Sequence, residues 1–154
     1  MVLRLSELPE AEREHLAAIK CPSFARRPWI KGEPLAHRRI AIISTAGLQL
    51  RGDRSFSHGD GDYRVIPGDA KAAEIVMSHV SVNFDRTGFQ QDINVVFPID
   101  RLKELAAAGE IGSVAGFHYS FMGAMAPEAA AAPSRMLAKL LRADEVDAVL
   151  LCPV

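Results

Sequence analysis

The chain has 154 residues, of which 49% are hydrophobic and 24% are charged, and its formal net charge is -1. This length predicts one soluble domain with a real core, and the charge balance argues against nucleic acid or an anionic membrane as a partner. No apolar run approaches the roughly 20 residues needed to span a bilayer, and the first residues are too acidic for a signal peptide. Two cysteines, Cys21 and Cys152, are too few for a disulfide framework or a zinc site, so we expect a cytoplasmic protein without a metal.

The N-terminal segment predicts a helix followed by an arm. Residues 6–19 carry a thin apolar stripe, and Cys21 and Pro22 end the pattern. Pro28, Gly32 and Pro34 then indicate a loop in which Trp29 covers an edge of the core, although a binding role for Trp29 is the alternative. We expect residues 1–36 to form this helix and arm, and residues 37–154 to form the main domain.

Short apolar runs predict the strands of that domain. Residues 38–44 contain the run from Ile40 to Ile43, which is typical of a strand buried on both faces of a parallel sheet. Residues 63–67 and 74–78 predict two more strands, and residues 146–154 end the chain on another buried run. The pattern therefore predicts an α/β fold with an open, mainly parallel sheet and flanking helices in three layers.

Two helices and one further strand complete the predicted order. Pro98 fits a first helical turn, Asp100 places a negative charge near the positive end of the helix dipole, and Gly109 predicts its end. Residues 112–125 are strand-like, and residues 127–143 predict a helix in two pieces broken at Pro133. We expect residues 49–61 to form a charged, Gly-containing loop.

Several polar side chains sit at the edges of these elements and are either caps or a site. His79 ends the third predicted strand and is the best general acid by pKa, while Asp92 could orient it or hold a substrate ammonium. Cys152 is either a packing residue or a nucleophile. We expect the other candidates to bind substrate; they are Ser44, Thr45, Asp85, Asn94 and His118. For His118, a packing role is the alternative.

Seven segments in order resemble the selenoprotein B family of glycine, sarcosine and betaine reductases. Within that family, the chain is most similar to the selenocysteine subunit of D-proline reductase. The segments are IAIISTAG (40–47), DYRVIP (62–67), SH (78–79), DINVVFPIDRLKEL (92–105), GEIG (109–112), HYSFMG (118–123) and DAVLLCP (147–153).

The resemblance implies an oxidoreductase subunit that cleaves a C–N bond reductively. A selenolate or thiolate attacks the α-carbon of an amine substrate, which is held through its nitrogen by the pyruvoyl group of a partner subunit. A dithiol from a thiol reductant protein then restores the reduced state. No cofactor is expected on this chain itself, and the implied partners are the pyruvoyl-containing subunit, the reductant protein and further copies of the chain.

The resemblance also implies a departure from the family. There the last strand leads into the selenocysteine, or its cysteine counterpart, and then into further α/β structure, so the C-terminal part of the family fold is missing here. We expect that the chain ends at a UGA codon read as termination instead of selenocysteine, and that the 154-residue form lacks its nucleophile. Two alternatives stay open: a binding or assembly protein that dimerises through its C-terminal strand, and a metal-dependent hydrolase using His79, His118 and the aspartates, whose spacing matches no compact motif.

Overall fold

The computed structural model describes residues 4–19, 23, 30–82 and 84–154, and it forms two compact units, residues 1–30 and 31–154. In the first unit, a 3-10 turn at Leu5–Glu7 precedes helix α1, Glu10–Ala18. The helix begins later than the sequence predicts because Pro9 occupies its N-cap. The interpretations of Cys21, Pro22 and Trp29 fall outside the described residues.

The described residues of the second unit form a main sheet, a small second sheet and three α-helices. Its strands are β1 (Arg39–Ser44), β2 (Leu48–Leu50), β3 (Arg64–Pro67), β4 (Ile75–Met77), β5 (Ser113–Val114), β6 (Phe117–Ser120) and β7 (Ala148–Cys152). Its α-helices are α2 (Thr87–Gln91), α3 (Ile99–Ala107) and α4 (Ala131–Ala143). None of the described helices is both long enough and apolar enough to cross a membrane.

Strand β1 is the centre of the main sheet. It pairs in parallel with β5, β6 and β7, while β3 joins β6 in the antiparallel direction. Ser44 is in register with both Ser120 of β6 and Cys152 of β7, so these two strands lie on opposite sides of β1. The carboxyl ends of three parallel strands therefore meet along one edge of the sheet.

Successive residues of β1 point to opposite faces, and each face has its own hydrophobic cluster. Ile42 packs in a cluster with Phe97 and with Leu102 of α3. Ile43 packs against the other cluster, which contains Tyr119 and Leu137 of α4. This arrangement confirms the predicted α/β fold with a mostly parallel sheet and flanking helices.

Two expectations about local structure are wrong. Residues 48–50, largely assigned to a loop, form β2, which pairs with β4 in a small antiparallel sheet. Gln49 fits there because its buried side chain bonds to Ser55 and Ser78. Residues 127–143 do form two pieces, a 3-10 turn at Pro127–Ala130 and α4, but the break is not at Pro133. Pro133 lies in the first turn of α4, where a missing N–H leaves no intrahelical bond unmade.

Candidate functional site at the carboxyl end of the sheet

Two matching turns follow β1 and β6. Residues 44–47 and 120–123 both read Ser-x-x-Gly. The glycine N–H of each turn donates to the carbonyl of the second residue in the other turn, at 2.9 and 2.8 Å. These reciprocal bonds fasten the two parallel strand ends to each other.

The serines of these turns are fully buried and already have partners. The Ser44 hydroxyl donates to the Val96 carbonyl at 2.8 Å, and Ser120 Oγ accepts the Leu48 N–H at 2.8 Å. Ser44 thus connects β1 to the turn that precedes α3. In the structure this hydroxyl has a packing role, and its predicted role in substrate binding stays a prediction.

Thr45 holds the residues that follow β7. Its N–H donates to the Cys152 carbonyl at 3.1 Å, and its Oγ1 accepts the Val154 N–H at 2.8 Å. The Thr45 carbonyl accepts the Gly123 N–H on the other side of β1. Thr45 therefore ties the ends of all three parallel strands together.

His79 enters this edge between two glycines. A Cβ built on Gly47 would lie 3.0 Å from the backbone N and Cα of His79, and a Cβ on Gly123 would lie 3.2 Å from His79 Nε2. The same Gly123 position is 2.8 Å from the Val154 carbonyl and 2.9 Å from that of Thr45. Only glycine lets the histidine, β1 and the end of β7 approach so closely.

The hydrogen bonds of His79 decide which ring nitrogen carries its proton. Nδ1 accepts the Ser81 N–H at 3.2 Å, so the neutral ring carries its hydrogen on Nε2. His79 is only 6% exposed. Its Nε2 is buried and has no hydrogen-bond partner within the described residues. Burial lowers the pKa of His79, and the charge of Arg86 lowers it further. The residue is therefore a neutral N–H donor aimed at the strand ends.

Cys152 ends β7 at the same edge, in register with Ser44. Burial raises the pKa of its thiol, and its neighbours include the core cluster on the Ile42 face. A thiol with a raised pKa supplies little thiolate at neutral pH. The structure thus favours the packing interpretation of Cys152, and its catalytic role stays a prediction.

Asp92 caps a 3-10 turn, Ile93–Val95, and Asn94 connects that turn to the first turn of α3. Asp92 Oδ1 accepts the backbone and side-chain N–H groups of Asn94 at 2.9 and 2.8 Å. Asn94 in turn accepts the Asp100 N–H at 3.0 Å and donates to the Asp100 carboxylate. The backbone and side-chain bonds from Asn94 lower the pKa of Asp92. These contacts are those of caps, as the sequence allowed.

The last two candidates lie apart from the strand ends. Asp85 is exposed, and the backbone N–H of Thr87 that it accepts at the start of α2 lowers the pKa of Asp85. His118 is fully buried in β6, where its Nδ1 accepts the Ile42 N–H at 2.9 Å and its ring packs edge-on against Phe97. The substrate-binding roles assigned to both residues remain predictions.

The structure thus brings Thr45, His79 and Cys152 to one edge, and it adds Gly47 and Gly123, which sequence reasoning missed. The repeated Ser-x-x-Gly at two strand ends was the signal that could have found both glycines. Arg86 was also missed, and no pattern in the sequence marks it. Among the residues that the structure describes, no group of three or more His, Cys, Asp or Glu side chains could hold a metal ion.

Comparisons with known proteins give the chain a family. The family described as glycine/sarcosine/betaine reductase selenoprotein B matches residues 18–154. The chain is 35% identical over 115 residues to the D-proline reductase subunit gamma of Acetoanaerobium sticklandii, covering 73% of this chain and 47% of that protein. It is 30% identical over 139 residues to the glycine reductase complex component B subunit gamma of Carboxydothermus hydrogenoformans, covering 84% of this chain and 31% of that protein. The chain thus spans less than half the length of either relative, and no solved structure matches it significantly.

Proposed function

Because the chain belongs to the glycine/sarcosine/betaine reductase selenoprotein B family, we propose that it takes part in reductive C–N bond cleavage of an amino acid or amine. The electrons come from a dithiol, which is oxidised to a disulfide as the carbon gains hydrogen and the amine leaves. The relatives are named as subunits of reductase complexes. We therefore propose that this chain also works together with partner subunits.

One observation supports this proposal most directly. The unpartnered Nε2 of His79 faces Gly123, and the Val154 carbonyl packs against the same glycine at the edge where β1, β6 and β7 end. Open α/β sheets bind their ligands beyond the carboxyl ends of parallel strands. We place the reacting carbon and its nucleophile beyond this edge, next to the end of β7.

In this role His79 acts as a donor. Its neutral Nε2–H can stabilise a thiolate or selenolate, or the nitrogen that leaves with the electron pair of the broken bond. The pyruvoyl group implied by the resemblance belongs to a partner subunit, where it would hold the substrate through its nitrogen. Pro153 and Val154 are exposed, which suits approach by such a partner. The nucleotide sequence beyond codon 154 tests whether the nucleophile is encoded there.

The test is dithiol-dependent substrate consumption by the full chain assembled with its partner subunits. Glycine, sarcosine, betaine and D-proline are incubated separately, and the reduced products are quantified by mass spectrometry. We expect His79→Ala to lower the turnover of the consumed substrate by about a hundredfold, since positioned donors contribute that much or more. The matched variant is His58→Ala, because His58 is an exposed histidine of the same unit.

Loss of turnover in His79→Ala together with retention in His58→Ala supports the proposal. Failure of the folded, assembled complex to consume any of the four substrates would overturn it. Equal turnover of the two variants would also contradict it, because the edge occupied by His79 could then not be the reaction site.

The exposed edge of β7 favours a second candidate function, in which the chain is a binding or assembly protein. Val149, Leu150 and Leu151 are 38%, 37% and 67% exposed, although a strand in a parallel sheet is usually buried on both faces. The Cys152 carbonyl accepts the Thr45 N–H, so the backbone polar groups of Cys152 face β1. Because these groups alternate in direction along a strand, those of Val149 and Leu151 face away from β1. No strand of the described residues pairs with that outer side.

This edge is self-complementary. If two copies pair antiparallel about Leu150, Val149 of one lies opposite Leu151 of the other, and both outward residues exchange N–H and carbonyl bonds. We expect Leu151→Lys to convert the dimer to a monomer in light scattering. Leu105→Lys, at a half-exposed site on α3, should leave the dimer intact. A monomeric wild type at micromolar concentration would rule out the second candidate.

A further inference from the structure

Arg86 hydrogen-bonds to the backbone of the segment that carries His79. Its Nη2 donates to the His79 carbonyl at 2.5 Å and to the Ser81 carbonyl at 3.2 Å. The side chain is half-buried, and its guanidinium carbon is 5.9 Å from the centre of the Phe84 ring. One nitrogen therefore fastens the two residues on either side of residue 80.

These two residues set the direction of the imidazole. Ser81 supplies the N–H that binds His79 Nδ1, and the Phe84 ring lies 5.0 Å from the imidazole, centre to centre. Gly47 packs against the backbone of His79. If the bonds from Arg86 are lost, the Ser81 N–H can move away from Nδ1, and the ring is then free to exchange tautomers.

We propose that Arg86 is a positioning residue, which fixes the imidazole of His79 with its Nε2–H directed at Gly123 and the end of β7. The proposal concerns the orientation and the tautomer of one side chain. Its effect on turnover rests on the proposed function, whereas its effect on the imidazole does not.

Charge and orientation can be separated by substitution. The groups near the imidazole are the guanidinium of Arg86 and the Phe84 ring on its own segment, and Gly47 and Gly123 in the turns after β1 and β6. Arg86→Gln removes both the charge and the paired bonds. Arg86→Lys keeps the charge, but the lysine side chain ends one bond short of the position of Nη2, so its ammonium does not reach both carbonyls. Arg101→Gln is the matched control, because Arg101 forms an exposed ion pair with Glu104 on α3.

The experiment is an NMR titration of His79 in the full chain, with nitrogen-15 shifts reporting which ring nitrogen carries the proton. In wild type and Arg101→Gln we expect a single Nε2–H tautomer and a depressed pKa for His79. In Arg86→Gln the two nitrogen shifts should converge and the pKa should rise. In Arg86→Lys the shifts should converge while the pKa stays depressed.

Turnover by the assembled complex gives an independent reading. We expect kcat to fall about tenfold to a hundredfold in Arg86→Gln, with KM changed little, because small misplacements of a reacting group have effects of that size. A single Nε2–H tautomer in Arg86→Gln would overturn the positioning role. If the two nitrogen shifts of His79 converge in Arg86→Gln but turnover is unchanged, Arg86 still positions the imidazole and the proposed function is contradicted.

Discussion

Gly47→Ala should lower the free energy of unfolding by about 3 kcal/mol. Gly47 has a φ of 66°, in the left-handed region, where an alanine costs about 1 to 2 kcal/mol. Its new Cβ would also lie 3.0 Å from two backbone atoms of His79, which must then shift. Such overpacking adds roughly another 1 to 3 kcal/mol. Urea unfolding of the two proteins at pH 7 measures the difference.

Gly59→Ala is the matched control for this substitution. Gly59 has a φ of 76°, but nothing lies within 4 Å of the Cβ that the substitution would add. It should therefore show the backbone cost alone. If the two alanine variants are equally destabilised, the close packing of Gly47 on His79 does not contribute to stability.

The contacts that hold His79 in place bear on function as well as on stability. A catalytic group is effective when its own surroundings fix its direction before substrate arrives. Gly47 fixes the backbone of His79, Arg86 fixes its carbonyl, and Ser81 fixes Nδ1. Gly47→Ala should for this reason also lower turnover, while Gly59→Ala should leave it unchanged.

Local patterns in the sequence were sufficient for most of the fold. The continuous apolar runs at β1 and β7 predicted strands of a parallel sheet, and both strands pair in parallel in the structure. Pro98, Asp100 and Gly109 predicted the start and the end of α3. Strand β2 was not predicted because it has only three residues and because its position depends on pairing with β4, which lies more than twenty residues away in the sequence. Such long-range pairing leaves no local pattern to read.

The candidate site was predicted in part. Thr45 could be identified because polar residues after parallel strands meet at one edge of an α/β sheet. His79 follows β4 of the small antiparallel sheet and reaches the same edge through its contacts with Gly47 and Gly123. Asp92 and Asn94 were open to two interpretations, because an acidic residue before a helix is both a good cap and a good ligand. Their bonds to each other and to Asp100 favour the cap. Arg86 could not be predicted, because its role depends on two backbone carbonyls that only the folded loop presents.

His118 should make the chain less stable in mild acid. Burial lowers the pKa of His118 to about 4, the charges of Lys103 and Arg39 add to the effect, and Asp144 opposes it. In the unfolded chain the pKa is near 6.5, so the unfolded state binds the proton first as the pH falls. This stabilising contribution is therefore complete above pH 6.5 and is lost between pH 6.5 and 4. The expected loss is about 2 kcal/mol at pH 5 and about 3 kcal/mol at pH 4.

The measurement is urea unfolding of the wild type and of a His118 variant at pH 7 and pH 5. His118→Asn is the comparison, since its side-chain oxygen can accept the Ile42 N–H in place of Nδ1 but does not titrate. The variant should lose about 2 kcal/mol less than wild type between the two pH values, while His79 contributes equally to both proteins. Equal losses would mean that His118 can take up a proton in the folded core. The ring would then have to leave the bond to Ile42 and open the contact between β6 and β1, which a buried packing residue does not do.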